Sequence, residues 1–259
     1  MQTEALKTVG FAAAVCVVCS IFVAGSAVSL RDRQEENRVL DLRSKVLLVS
    51  DLADPGEALA RETINQRFQE NLTALVIDLE TGEETDIDPL TFDQRAAAQD
   101  PEQSEVAPPN TAKVSRVPDN ALIYQKITDG EVERLILPIQ GYGLWSTLYG
   151  FIALSGDLET IQGITFYEHG ETAGLGGEVD NPRWQALWPG RKAFGEGWEP
   201  EIEVIKGAAG PVASDPYRVD GLAGATLTSR GVTNLLHFWL GENGFGPYLE
   251  RYRADRGIS

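Results

Sequence analysis

At 259 residues the chain is long enough to bury a sizeable core, as one large or two modest domains. Charged residues at 24% and hydrophobic residues at 42% exclude wholesale disorder. Its 39 acidic and 22 basic side chains give a formal charge of −17, all of it in residues 31–259 because Glu4 and Lys7 cancel upstream, and such a surface excludes nucleic acid and other polyanions as partners.

No residue from Thr8 to Leu30 is charged, and the run is long enough to cross a bilayer core, which takes about 20 residues. A cleaved signal peptide is the rival, since Ala24, Gly25, Ser26 and Ala27 follow the apolar core. The barely basic head favours a retained anchor in membrane lipid. Arg31 and Arg33 outnumber Lys7, so flanking charge either leaves the orientation open or puts the larger part in the cytoplasm. Cys16 and Cys19, one helical turn apart, read as small fillers of this helix; the rest of the chain has no thiol, hence no disulfide or Cys-ligated cluster of its own.

Val39, Leu40, Leu42, Val46, Leu47 and Val49 predict a helix leaving the membrane, and Ala58, Leu59, Ile64 and Phe68 a second short one. Leu72 to Leu79 is dense in β-branched residues and predicts a strand turned by Thr81-Gly82. Asp86 to Pro118 is acidic, contains Pro101, Pro108 and Pro109, and reads as a long excursion. From Ala121 the pattern becomes sheet. Ala121–Ile127 and Val132–Ile139 flank Asp129-Gly130, a hairpin signal, and Phe151–Leu154 and Ile161–Tyr167 continue it.

Two glycine-rich stretches interrupt this sheet region, Gly141-Tyr142-Gly143-Leu144-Trp145-Ser146 and His169-Gly170-Glu171-Thr172-Ala173-Gly174-Leu175-Gly176-Gly177. The second is either a flexible turn or a loop whose backbone lies close to a ligand. It is neither a Gly-x-Gly-x-x-Gly fingerprint nor a P-loop, which leaves NAD on a Rossmann site and nucleoside triphosphates poorly supported. His169 can serve as a proton donor or as a turn residue, and Lys206 as a charge partner or a surface lysine. The two histidines offer no His-rich metal site, and no Ser/His/Asp set is visible, so neither metal ligands nor catalytic residues are assigned.

Near the C-terminus, Val232, Leu235, Leu236, Trp239 and Leu240 repeat at helical spacing and place a helix start near Thr228 or Ser229. The hydroxyls there either cap that helix or belong to an anion site with Gly221 and Gly224.

The segment Asp220-Gly221-Leu222-Ala223-Gly224-Ala225-Thr226 resembles the flavinylation motif of the FMN-binding domain family, in which the last threonine carries FMN through a phosphoester. Ala223 departs from the Ser or Thr usual there. Gly143-Leu144-Trp145-Ser146, the 169–177 loop, Asn181-Pro182-x-Trp184 and Asp220–Ser229 together resemble, in order and spacing, the NqrC family of sodium-translocating NADH:quinone reductases; the family's loop has Pro where Ala173 stands.

The resemblance implies an α+β fold: one N-terminal transmembrane helix, then a domain with a curved, mostly antiparallel sheet flanked by helices. The expected divisions are a short tail at 1–7, the membrane helix at 8–30, a membrane-proximal helical and loop region at 31–120 and the FMN-binding domain at 121–259. It implies covalent FMN on Thr226. The expected cofactor-binding set is Asp220, Leu222, Gly224, Ala225, Leu227, Thr228, Trp145, Glu171, Thr172, Leu175, Gly176 and Lys206. It implies a periplasmic domain on a bacterial inner membrane, five other subunits as partners, and a flavin transferase during maturation. The activity implied is electron transfer between a membrane iron–sulfur centre and a second covalent flavin, within a complex that oxidises NADH, reduces ubiquinone and exports sodium. Two alternatives remain open: the G-type subunit of an Rnf electron-transport complex, which shares the threonine motif, and a cofactor-free structural or assembly subunit docking partners through its aromatic surface.

Overall fold

A computed structural model describes residues 2–257. Met1, in the expected tail, and Ile258 and Ser259, at the end of the expected FMN-binding domain, lie outside the described residues.

The first helix, α1 (Gln2–Val49), joins the apolar run to the charged segment after it without a break. It is long and apolar enough to cross a membrane, and it exposes Val9, Phe11, Ile21 and Phe22. The chain divides into two compact units, residues 1–42 and 43–259. In the second unit the last turns of α1 contribute Val46 and Leu47, both fully buried.

After α2 (Arg61–Asn71) comes β1 (Leu72–Asp78). The acidic excursion is more ordered than its composition suggests. It holds a short helix, α3 (Gln94–Gln99), and a two-stranded ribbon of β2 (Ser104–Val106) with β3 (Arg116–Pro118). Asp93 supplies the helix start, its carboxylate accepting from the N–H groups of Arg95 and Ala96. Arg116 ties the ribbon together through Ser104.

β4 (Asn120–Thr128), β5 (Glu131–Tyr142), β6 (Thr147–Ser155) and β7 (Ile161–Glu168) form an antiparallel meander, with β1 added beside β4 to give the order β1-β4-β5-β6-β7. The Asp129-Gly130 hairpin is present, with φ 54° and 84° at the two turn residues. Register shifts at Lys126/Ile127, Tyr149/Gly150 and Ala153/Leu154 bend the sheet, as bulges do. The expected fold class, an apolar N-terminal helix followed by a mostly antiparallel sheet with helices, is the one observed.

Beyond β7 the chain makes a 3₁₀ turn at Gly176–Asp180 and the single-turn α4 (Pro182–Gln185), whose Trp184 packs edge-on against the buried Trp188 at 5.3 Å. Two short strands then run parallel, β8 (Glu203–Val204) and β9 (Arg218–Val219). α5 (Thr226–Leu240) lies across β5, and α6 (Gly246–Arg256) closes the chain. Contact between α5 and β5 is close because Gly231 faces the Tyr142 carbonyl, which a Cβ would approach to 2.6 Å. Trp239 donates its indole N–H to Gln140 O at 2.6 Å, fastening the far end.

One expectation about α5 is corrected. Its first helical residue is Thr226, not Thr228 or Ser229, and Ala225 occupies the N-cap with no side-chain cap. The two later hydroxyls are inside the helix and buried, so neither caps it.

Candidate flavin site

The parallel pair β8–β9 builds the site by laying two distant segments side by side. Ile205 N–H donates to Val219 O at 3.0 Å and Gly221 N–H to Gly207 O at 2.8 Å, so Ile205-Lys206-Gly207 runs beside Asp220-Gly221-Leu222. A side chain at Gly221 would collide with Ile205 O, and the sequence places glycine there. Asp220 secures the other flank. Its Oδ1 accepts from Ala209 N–H at 2.8 Å, and its carbonyl accepts from the Trp184 indole at 2.8 Å.

Between these segments and the start of α5 opens a cleft of about 590 Å³, within the usual range for small-molecule sites. Leu222, Gly224, Thr226 and Lys206, all expected from the sequence, line it; so does Arg230, which was not. Arg230 lies one helical turn after Thr226 and therefore shares its face of α5. That spacing was the available signal, but a lone arginine on a helix reads as an ordinary solvated charge.

The hydroxyls of this segment are treated differently. Thr228 Oγ1 donates to Glu171 Oε2 at 2.6 Å, and Ser229 Oγ accepts from Leu222 N–H at 3.0 Å. Thr226 is exposed and, among the described residues, its hydroxyl has no hydrogen-bond partner. One free hydroxyl thus sits at the mouth of the cleft, and its two neighbours are spent on holding the segment in place.

Glu171 links this segment to the aromatic turn. Its Oε1 accepts from the N–H groups of Leu144, Trp145 and Ser146 at 3.0, 2.9 and 3.3 Å. Burial works against its charge, but the Thr228 hydroxyl and these backbone donors outweigh burial and hold the carboxyl below its ordinary value. Gly176 and Thr228 lie buried beside this carboxylate, and Ala225 is buried too. These residues shape the site from behind.

Facing outward are Trp145, 65% exposed, Leu227, 52%, and Leu175, 43%, three large apolar side chains left on the surface, of which Leu227 adjoins Thr226 in α5. Leu175 reaches toward Gly224, whose φ is 73°. Thr172 is exposed, and its carbonyl accepts from Leu175 and Gly177 N–H groups, shaping the loop. His169 is engaged at both ring nitrogens, by Asp180 Oδ2 at 2.9 Å and Glu171 N–H at 3.2 Å, which makes it a loop-holding residue. His237 is exposed and its ring Nε2–H donates to Ile202 O at 2.8 Å.

The chemistry of this set suits a flavin nucleotide: a reachable hydroxyl and two cations on one cleft, and exposed apolar groups for an aromatic ring system.

Residues 143–241, from the aromatic turn to the end of α5, match the FMN-binding domain family. Over the whole length, the chain is 47% identical to the C subunit of the Na(+)-translocating NADH-quinone reductase of Pseudomonas aeruginosa, with 97% of each chain covered. The chain belongs to the NqrC family of Na(+)-translocating NADH-quinone reductases. The family member from Yersinia pestis is 44% identical, with 95% of this chain and 92% of that one covered. The crystal structure of Shewanella oneidensis NqrC superposes with a TM-score of 0.75 at 33% identity, covering 83% of this chain and 97% of that one. As a member of the NqrC family the chain is part of an oxidoreductase complex, with other subunits as its partners and FMN as the ligand class of its domain.

Proposed function

We propose that this chain is the covalent-FMN electron carrier of its reductase, with Thr226 Oγ1 esterified to the FMN phosphate. The observation that carries this reading is the contrast among the three hydroxyls, of which Thr226 alone is exposed and unbonded. FMN supplies reversible electron acceptance when bound. The chain's own residues attach it, flank it and exclude water from one side of it: Thr226 bears the ester, Lys206 on the cleft wall offers its positive charge to the phosphate, and the exposed Trp145, Leu175 and Leu227 offer apolar contact. Glu171, Thr228, Gly176, Ala225, Asp220 and Leu222 hold these groups in position, and Thr172 and Gly224 complete the walls.

A threonine hydroxyl with no base beside it does not attack a phosphate unaided, so a separate flavin transferase modifies it. The proposed complex oxidises NADH, reduces ubiquinone and exports sodium, with this subunit lying between a membrane iron–sulfur centre and a second covalent flavin. α1 anchors it in lipid as a single span, and the folded part faces the periplasm. Covalent attachment suits that compartment, since a flavin lost there is not readily replaced. Divisions at residues 8–30 and 121–259 go with this reading, although β1, before residue 121, pairs with the same sheet.

The test is intact and peptide mass of the full chain produced with a flavin transferase. FMN less one water on the peptide containing Thr226 is expected. An unmodified peptide, with the transferase active on another acceptor, overturns the reading and points to Ala223, exposed on the cleft wall, as a disabling change.

A further inference from the structure

In a chain of net charge −17, cationic side chains are mostly consumed by partners. Among the described residues from 43 to 257, only Lys45, Arg183, Lys206 and Arg230 have side chains with no hydrogen bond, ion pair or ring contact. Two of these four line the Thr226 cleft, Lys206 from the segment after β8 and Arg230 from α5. The acidic group on the same cleft, Glu203, is already paired with Arg218 at 3.3 Å. The cleft therefore carries two uncompensated positive charges from separate segments of the chain, in a molecule whose surface is otherwise strongly acidic.

We infer that Lys206 and Arg230 form a clamp for a phosphodiester, gripping the link between Thr226 and its flavin from both sides. The inference rests on covalent attachment at Thr226. Esterification converts a phosphate of about two negative charges into a diester of one, so two cations overcompensate the group they hold. Arg230, one turn along the same helix face as Thr226, is placed to reach a non-bridging oxygen of a group on that hydroxyl. Its function is positional: with the phosphate held on two sides, the ring swings less freely about the ester and rests against the apolar rim at Leu175 and Leu227.

The experiment uses the full chain loaded with flavin, as wild type, Arg230→Gln, Lys206→Gln, the double variant and Arg230→Lys. Flavin content by intact mass, flavin fluorescence anisotropy decay, visible circular dichroism and the phosphorus-31 resonance are measured at low and high salt. Each reading is taken per covalently attached flavin, from the flavin content of that variant. In the double variant the fast local component of the anisotropy decay should rise about twofold or more, the dichroism should fall, and both should lose the salt dependence seen in wild type, because exposed charge pairs are screened by salt. Each single glutamine variant should show part of the change, and Arg230→Lys should restore most of it. A double variant with wild-type anisotropy and phosphorus resonance overturns the clamp while leaving attachment intact. A wild type with no flavin on Thr226 overturns the attachment, and the clamp with it.

Discussion

Thr228, in the first turn of α5, donates its hydroxyl hydrogen to Oε2 of Glu171 at 2.6 Å across 57 residues of sequence. The other oxygen of the same carboxylate receives the backbone N–H groups of Leu144, Trp145 and Ser146. One buried side chain thus fastens the aromatic turn, the glycine-rich loop and the threonine helix to one another.

Glu171→Gln puts an amide NH₂ where an acceptor is needed and leaves either the hydroxyl or the backbone donors unsatisfied. A loss of roughly 1–3 kcal/mol is expected, by chemical denaturation, with a shift in tryptophan emission from a loosened Trp145 turn.

The pH dependence follows from the same group. Its folded pKa lies below the ordinary 4.5, so its contribution to stability is fully present above that value and lost as pH falls through the folded one. Denaturation midpoints measured from pH 6 downward should decline below about pH 4.5, and Glu171→Gln should remove part of that slope.

Thr226→Ala and Thr228→Ala should behave oppositely. The first removes an exposed, unbonded hydroxyl, so stability should change by no more than about 0.5 kcal/mol while covalent flavin disappears from the mass spectrum. The second empties a buried hydrogen bond and should cost roughly 1–3 kcal/mol while leaving the attachment residue in place.

Gly221→Ala should force β8 and β9 apart, since the new methyl would overlap Ile205 O. A loss of about 1–3 kcal/mol in denaturation, with weaker visible dichroism of the attached flavin, is the expected result.

Trp145→Ala removes a side chain that is 65% exposed. Stability should move by no more than about 0.5 kcal/mol, and flavin fluorescence should brighten as an aromatic quencher is lost from the rim.

The meander was legible because its signals are local: Asp129-Gly130 can adopt positive φ, and the strands on either side are dense in branched apolar residues. Thr226 stands out in sequence through its motif, and the fold puts it, exposed, on the cleft. The start of α5 was misjudged because Thr228 and Ser229 look like caps in sequence, whereas their hydroxyls are drawn to Glu171 and Leu222 by tertiary structure. The two-residue strands β8 and β9 have no period to detect, and without them nothing in the chain shows that Lys206 lies beside Gly221. Arg230 shares helical spacing with Thr226 in sequence, but what distinguishes it from other solvated arginines is the absence of a partner, and only the folded chain reveals that.

Gly231 carries a final implication. Because its missing side chain lets α5 settle onto the Tyr142 carbonyl, it indexes the helix rotationally, as a keyway fixes a shaft. A methyl at that point would make α5 roll or retreat, and Thr226, five positions upstream on the same rod, would swing with it. The direction in which the threonine hydroxyl points is thus set more than a full turn away, by a residue on another face of the helix.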